Sequence, residues 1–355
     1  MINKFKRPVV AVATGTTREE TVRNALSLIR DDILATLKGR VMIKPNFLSS
    51  VNTLASTQAG AVKPVLELLQ DAGIKSVVIA EGASRSTSQA LDNFGYHELS
   101  KKYDVEFADI NTTGFSRSFE IITVKREIQQ AHYTDLTGEV DTIISVPVAK
   151  THDTAMVTLS LKNMMGCLRR VHRPRMHGIK IGNGTSHFAE KLWNSIEGHP
   201  YVFKSFSGVV FSIVKELRSR GSKKNETLKP GLLRQAAAMS ENLYRLGKVL
   251  MPDIAVIDAF EAMEGDGPGS GGTPVDMKIA VAGTDPVACD AVMASMMGFD
   301  PLSVGHLYLA NEHGLGVADP DKIECIGEDI TLHTRRFKPH SNYPEQKRWR
   351  EAWSD

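Results

Sequence analysis

Lys150, His152, Lys162 and Asn163 fall within one run, VPVAKTHDTAMVTLSLKNMMG, at residues 146–166. Ammonium groups, an imidazole and a carboxamide in so short a span can bind an anion and move a proton. Lysine offers charge-assisted donors to a carboxylate or phosphate, and imidazole titrates near neutral pH. His152 is the expected general acid/base, with Lys150 and Lys162 as catalytic companions. A lysine taken out of water can instead be a nucleophile, because burial lowers the pKa of an ammonium. Between Asp153 and Glu190 no acidic residue occurs, whereas Lys162, Arg169, Arg170, Arg173, Arg175 and Lys180 do. That makes a local positive field, or a solvated basic face.

Such residues need elements to place them. Residues 141–148 (DTIISVPV) read as a strand buried on both faces. The residues just after such a strand lie at its carboxyl end, where open parallel sheets bind ligands. A helix expected from 158 to 165 would turn its free N–H groups toward the same space.

Other strands end in the same way. Residues 8–14 form a first expected strand, followed by a helix over 17–37 that a threonine caps and acids open. The strand at 40–44 ends in KPN, so Lys44 and Asn46 sit where Pro45 turns the chain. The strand at 76–80 ends in EGASRST and delivers Glu81. The alternation predicts an α/β protein of two layered lobes with mainly parallel sheets. The lobes expected are 1–140 and 141–332, the second with an irregular, partly helical insertion at about 167–250, before a basic C-terminal tail at 333–355. The insertion holds His172, His177 and His187, whose spacing matches no tight metal signature, then the polar stretch SRGSKKNETLKPG and a helix at 232–250.

A second constellation is IAVIDAFEAMEGDGPGSGGTP. After an expected strand at 254–257 come Asp258, Glu261 and Glu264, then Gly265, Gly267, Gly269, Gly271 and Gly272, a loop that backbone and ligand could share closely. It is neither a Walker loop nor a GxGxxG turn. Lys44, Asn46, Asn163, Gly265, Gly267, Gly269 and Gly271 are the expected binding set, and Glu264, with Asp258 or Glu81 as alternatives, is the expected acidic partner of His152. Glu81, His152 and Asp258 are the candidate metal ligands. Further on, a strand at 277–282 precedes a helix with Asp285 at its cap and Pro286 at its first position. Asp290 inside that helix needs a cationic or hydrogen-bonding partner. A helix at 304–313 and a strand at 322–326 complete the pattern.

The 355 residues are 42% hydrophobic and 24% charged with a net charge of +2, as in ordinary soluble globular proteins. No apolar run reaches membrane-spanning length, so no membrane partner is expected and a cytoplasmic location is the default. The charge balance gives no overall footprint for nucleic acid. Cys167, Cys289 and Cys325 are too dispersed for a disulfide framework or an intrinsic cysteine-ligated iron–sulphur cluster, and the cofactor stays unknown.

KPN, AKTHDTAMVTLSLKNMMG, DAFEAMEGDGPGSGG and TDPVACDAVMASMMGFDP, in that order over about residues 44–316, together resemble the domain-of-unknown-function family numbered 362. Many of its members carry an iron–sulphur module, which implies redox chemistry; with the cysteines of this chain, electrons would come from an external redox partner. By position the resemblance singles out Lys44, Lys150, His152, Lys162, Asn163, Asp258, Glu264 and the glycine loop. The expected function is an enzyme, an oxidoreductase among the readings, acting on an anionic small molecule or cofactor in an inter-lobe cleft. One alternative is a non-catalytic protein that holds a partner or nucleic acid through residues 169–180 and the basic tail. Another is a metal-cofactor-dependent isomerase, similar in kind to the nickel-pincer lactate racemase by architecture alone.

Overall fold

The structure, a computed structural model, describes residues 7–180, 229–269 and 271–353. His187 and most of the polar stretch at 219–231 lie outside the described residues. Strands β1 (Val9–Thr14), β2 (Val41–Pro45), β3 (Val77–Glu81) and β4 (Glu106–Asp109) come first, then a ribbon of β5 (Arg117–Ile122) and β6 (Ile128–Tyr133). Next come β7 (Thr142–Val146), β8 (Val148–His152), β9 (Met156–Thr158), β10 (Ile254–Asp266), β11 (Gly271–Gly283) and β12 (Glu324–Gly327).

Ten strands form one sheet in the order β12-β1-β11-β10-β7-β2-β3-β4, with β8 attached to β10 and β9 to β8. β11 runs antiparallel to β1 and β10; β12, β1, β10, β7, β2, β3 and β4 all point one way. The expected α/β class with a mainly parallel sheet is therefore the observed one. The carboxyl ends of these strands consequently share a rim. The strands assigned to two lobes are hydrogen-bonded together: β7 lies between β10 and β2, and β1 between β11 and β12. The boundary expected at 140/141 thus falls inside one sheet.

The central strands are buried along their whole length: VMIKP in β2, VVIAE in β3 and TIISV in β7. Apolar runs of that kind suit parallel strands covered on both faces. Strand alternation divides them between cores. Ala11, Ile43, Ile79 and Ile144 pack with the helices Arg18–Leu28 and Ala59–Asp71. Val10, Val12, Ile257 and Val281 pack with the helix Pro286–Met296. Met42, Val78 and Ile143 meet the ribbon and the helix Pro230–Leu250.

Local expectations differ from the structure in five places. The run expected as one strand at 141–148 is split into β7 and β8, so Lys150 and His152 lie within β8 rather than beyond a strand end. The helix expected from 158 to 165 is the short turn Ser160–Asn163, since β9 carries the chain extended to Thr158. The helix expected over 17–37 is broken at Ile29, whose φ of −121° and ψ of 24° leave the helical region. The strand expected to stop at 257 continues to Asp266 and pairs with β11 down to Gly271. The glycines are accordingly parts of a long hairpin and its turn rather than of an open loop: a Cβ on Gly267 would stand 2.6 Å from the Thr151 carbonyl oxygen. The segment expected as a basic tail is folded onto the protein, with Phe337, Glu345 and Gln346 buried. Its surface charges hide an apolar and amide anchor, which composition does not reveal.

Candidate functional site

Lys44 ends β2 and Glu81 ends the adjacent β3, and their side chains close an ion pair of 2.7 Å with almost no exposure. Glu81 also accepts from the backbone N–H of Phe47 at 3.0 Å and of Gly82 at 2.8 Å. Burial alone would raise the Glu81 pKa, but Lys44 and the Arg173 guanidinium hold it below the ordinary value. Arg173 donates to the carbonyls of Gly82, Gly166 and Leu168 and to Asn111 Oδ1. Gly166 allows this closeness, since a Cβ there would lie 2.5 Å from both Glu81 Oε2 and Lys44 Nζ.

Asn46 and Asn163 extend the network. Asn163 Nδ2 donates to Lys44 O at 2.8 Å and Ser145 Oγ at 3.0 Å, while its Oδ1 accepts from Asn46 Nδ2 at 3.0 Å. Asn46 is held from behind, its N–H donating to Thr57 Oγ1, which in turn donates to Val146 O. Lys150, on β8, donates to Asn46 Oδ1 at 2.6 Å and Ala55 O at 2.5 Å. Both acceptors are neutral. Burial, reinforced by Lys162 and Lys44 against a smaller opposing effect of Glu81, lowers the Lys150 pKa to about 7.

Lys162 rides on the helical turn Ser160–Asn163 that comes after β9. Asp290 fixes this turn, accepting from the N–H of Ser160 at 2.7 Å and of Leu161 at 2.9 Å. The hydrogen-bonding partner that Asp290 requires is therefore backbone. Lys162 is nine-tenths buried and makes no hydrogen bond or ion pair among the described residues. Burial, partly offset by Asp153, takes its pKa down to about 8.

His152 is buried, and its Nδ1 accepts from the N–H of Thr154 at 3.1 Å and of Ala155 at 3.2 Å. The Asp153 carboxylate also lies 3.0 Å from this nitrogen. Burial and the charge of Lys162 lower its pKa to about 3, against the pull of Asp153. His152 is thus a neutral imidazole stacked on His177 at 5.9 Å. The group poised near neutral pH is Lys150.

Other expected site residues have partners of their own, and the hairpin lies against β8, with Thr151 Oγ1 donating to the Gly265 carbonyl at 2.9 Å. Glu264 Oε2 accepts from the N–H of Lys338, so its carboxylate anchors the C-terminal segment. Asp258 sits 2.8 Å from Arg18 Nε. Gly265, Gly269 and Gly271 belong to the β10–β11 hairpin and its turn. Glu81, His152 and Asp258 are each engaged separately, and no group of three or more His, Cys, Asp or Glu among the described residues is placed to hold a metal ion. The basic run is not a free face either: Arg173 and Arg175 are engaged with carbonyls, and Lys180 pairs with Glu127 at 2.9 Å.

The structure adds residues that the motifs do not single out. His306, on the helix Gly305–Glu312, is wholly buried, and neither ring nitrogen is hydrogen-bonded among the described residues. Thr158 stands directly across from Lys150 in the β8–β9 pairing. Gln346 donates to the His152 carbonyl at 2.6 Å, and Asn342 to the Asp153 carbonyl at 3.0 Å. A lone histidine in an apolar helix and an amide in a polar tail carry no spacing signal.

The chain belongs to the family described as domain of unknown function (DUF362), which it matches over residues 41–295, a span that takes in the whole rim cluster. A curated relative is a thylakoid-associated protein of Synechocystis sp., 23% identical over 281 residues, covering 78% of this chain and 68% of that protein. Among solved structures, the lactate racemase apoprotein from Thermoanaerobacterium thermosaccharolyticum is similar at a TM-score of 0.42 and 14% identity, over 82% of this chain and 58% of that one. A Thermotoga maritima protein is similar at a TM-score of 0.37 and 9% identity, over 74% of this chain and 54% of that one. The chain thus spans little more than half the length of these two structures. No helix among the described residues is long and apolar enough to cross a membrane.

Proposed function

We propose that this protein is an enzyme that binds an anionic small molecule at the carboxyl rim of its sheet and exchanges a proton with it through Lys150. One observation carries the reading: among the described residues, Lys150 and Lys162 are buried ammonium groups with no carboxylate at ion-pair distance, whereas Lys44 beside them has Glu81. Burying a charge without a partner costs several kcal/mol, roughly, unless something else supplies the counter-charge. A carboxylate or phosphate on a ligand does so. Groups with strongly shifted pKa values cluster at functional sites for this reason.

The residues then divide the work. Lys162, with no partner among the described residues, attracts the anion. Lys150, held by Asn46 and Ala55, is protonated or neutral in comparable measure near pH 7, as an acid/base requires. Lys44, Glu81 and Asn163 fix Asn46 and hence the Lys150 amine. His152 contributes a neutral imidazole. A redox step would need an electron donor other than a cluster held by Cys167, Cys289 and Cys325, since Cys167 and Cys289 are buried in different cores and Cys325 is exposed.

Native mass spectrometry of the purified protein, combined with thermal melting in inorganic phosphate and in oxalate, tests this reading. A retained anion, or a rise in Tm that Lys162→Met abolishes, is the expected result. If nothing is retained and neither anion moves the Tm of the parent, the reading is wrong.

A further inference from the structure

Several buried polar groups near Lys162 in the chain or in the fold lack partners among the described residues. His306 is completely buried, yet neither Nδ1 nor Nε2 has a hydrogen-bond partner among the described residues. Ser160 Oγ, on the turn that carries Lys162, and Thr158 Oγ1, across from Lys150, are buried and unpartnered as well. Buried polar groups in folded proteins are almost always paired, and each orphan costs about 1–3 kcal/mol. Ser160 and Thr158 lie two and four residues before Lys162 in the chain, and His306 is joined to this turn through shared packing neighbours. The helices bearing His306 and Asp290 pack against one another, and the Lys162 turn packs against the Asp290 helix and the helix Pro230–Leu250, as does the His306 helix. Lys162 lies close enough for its charge to depress the basicity of His306, alongside burial.

We infer that His306, Lys162, Ser160 and Thr158 form a receptor for the compact oxyanion of the ligand, either a carboxylate or a phosphate group. This rests on the anion-binding reading above and specifies where the charged end is held. The donor inventory favours an acceptor-rich group: a lysine ammonium has three donors, each hydroxyl one, and a neutral imidazole one. Water would satisfy hydroxyls and imidazole but brings no counter-charge for Lys162. An oxyanion does both. The arrangement also separates tasks, with the anion seated on the His306 side and the rest of the ligand facing Lys150 across Thr158.

The test is binding of inorganic phosphate and of oxalate by calorimetry to the parent, Lys162→Met, His306→Leu and His306→Gln, with nitrogen NMR of the parent's His306 ring. Binding to the parent, weakened at least about tenfold by His306→Leu and less by His306→Gln, is expected, with a shift of the His306 ring resonances on saturation. A tenfold loss corresponds to about 1.4 kcal/mol. Preference for phosphate or for oxalate identifies which oxyanion the receptor suits. If Lys162→Met removes binding while the His306 variants bind within twofold of the parent and its resonances stay fixed, the receptor is wrong and the anion site survives. If the parent binds neither anion, both fall. The NMR arm needs no variant, so a misfolded substitution cannot hide the answer.

Discussion

Lys44 and Glu81 meet at 2.7 Å across two adjacent parallel strands, and the pair neutralises one buried lysine of the rim while Lys150 and Lys162 go without. Removing one partner of a buried pair strands the other. Glu81→Gln is therefore expected to cost about 3–5 kcal/mol in urea unfolding near neutral pH. Because the folded pKa of Glu81 lies below its ordinary value, its stabilisation is complete above the unfolded carboxylate pKa of about 4.3. It is lost as pH falls through the folded value. The gap between parent and Glu81→Gln should accordingly narrow in acid; a gap that is constant from about pH 7 to pH 3 would contradict the pairing.

The two unpaired lysines behave in the opposite sense. Lys150, at about 7, and Lys162, at about 8, give up their protons more readily folded than unfolded, where lysine titrates at about 10.4. Their burial penalty is complete below the folded pKa and disappears as pH rises toward the unfolded one. Lys162→Met should thus stabilise the ligand-free protein by about 1–3 kcal/mol near pH 6, with the gain shrinking toward pH 10. Lys150→Met gains less, since it leaves Asn46 Oδ1 and Ala55 O without a donor. Denaturant midpoints across that pH range are the measurement, and a large loss of stability in Lys162→Met at pH 6 would show that the charge has a partner.

Much of this arrangement is legible in the sequence because it depends on local pattern. Buried apolar strands alternating with amphipathic helices put KPN and EGAS at strand ends, and a common strand direction brings such ends to one rim. Lys44, Asn46 and Glu81 are accessible by that route, whereas AKTH, expected beyond a strand end, forms most of β8 itself. Pairings distant in sequence are not accessible in that way: β1 joins β11 and β12, more than two hundred residues away, which no local period encodes. Glycine-rich sequence after residue 257 suggests a loop, yet pairing with β11 carries the strand to Asp266. The role expected of Glu264 depends on the same misplacement. His152 attracts the acid/base role through the ordinary pKa of imidazole, and burial removes that property.

Asp290 holds the turn that carries Lys162. Its carboxylate receives the N–H groups of Ser160 and Leu161, a cap for the turn that holds the lysine. Asp290→Ala leaves two buried N–H donors unpaired, for an expected loss of about 2–4 kcal/mol. Asp290→Asn keeps one acceptor and should lose less. Burial, outweighing those two bonds, raises the Asp290 pKa to about 7, so its contribution is complete below the unfolded carboxylate value and diminishes as pH rises toward 7. Both variants should weaken phosphate or oxalate binding more than their loss of stability explains. Anion affinity measured under fully folded conditions decides this; unchanged affinity in Asp290→Ala would mean that Lys162 is oriented by other contacts.

The C-terminal segment covers the end of β8 through Gln346 on the His152 carbonyl and Asn342 on the Asp153 carbonyl. A second pair of contacts ties it to the hairpin, with Lys338 N–H on Glu264 and Ser341 N–H on Asp266. All four are hydrogen bonds from residues 338–346, a short segment that ends in the five-residue helix Tyr343–Lys347, and such segments open at lower free energy than the sheet beneath. Each neutral bond contributes about 1 kcal/mol, so Gln346→Ala combined with Asn342→Ala should shift the segment's opening by roughly 2 kcal/mol. The expected result is faster amide exchange at residues 150–158 and faster acylation of Lys162, with global unfolding changed far less. Equal exchange and labelling rates in parent and double variant would mean that this segment does not control access to the buried lysines.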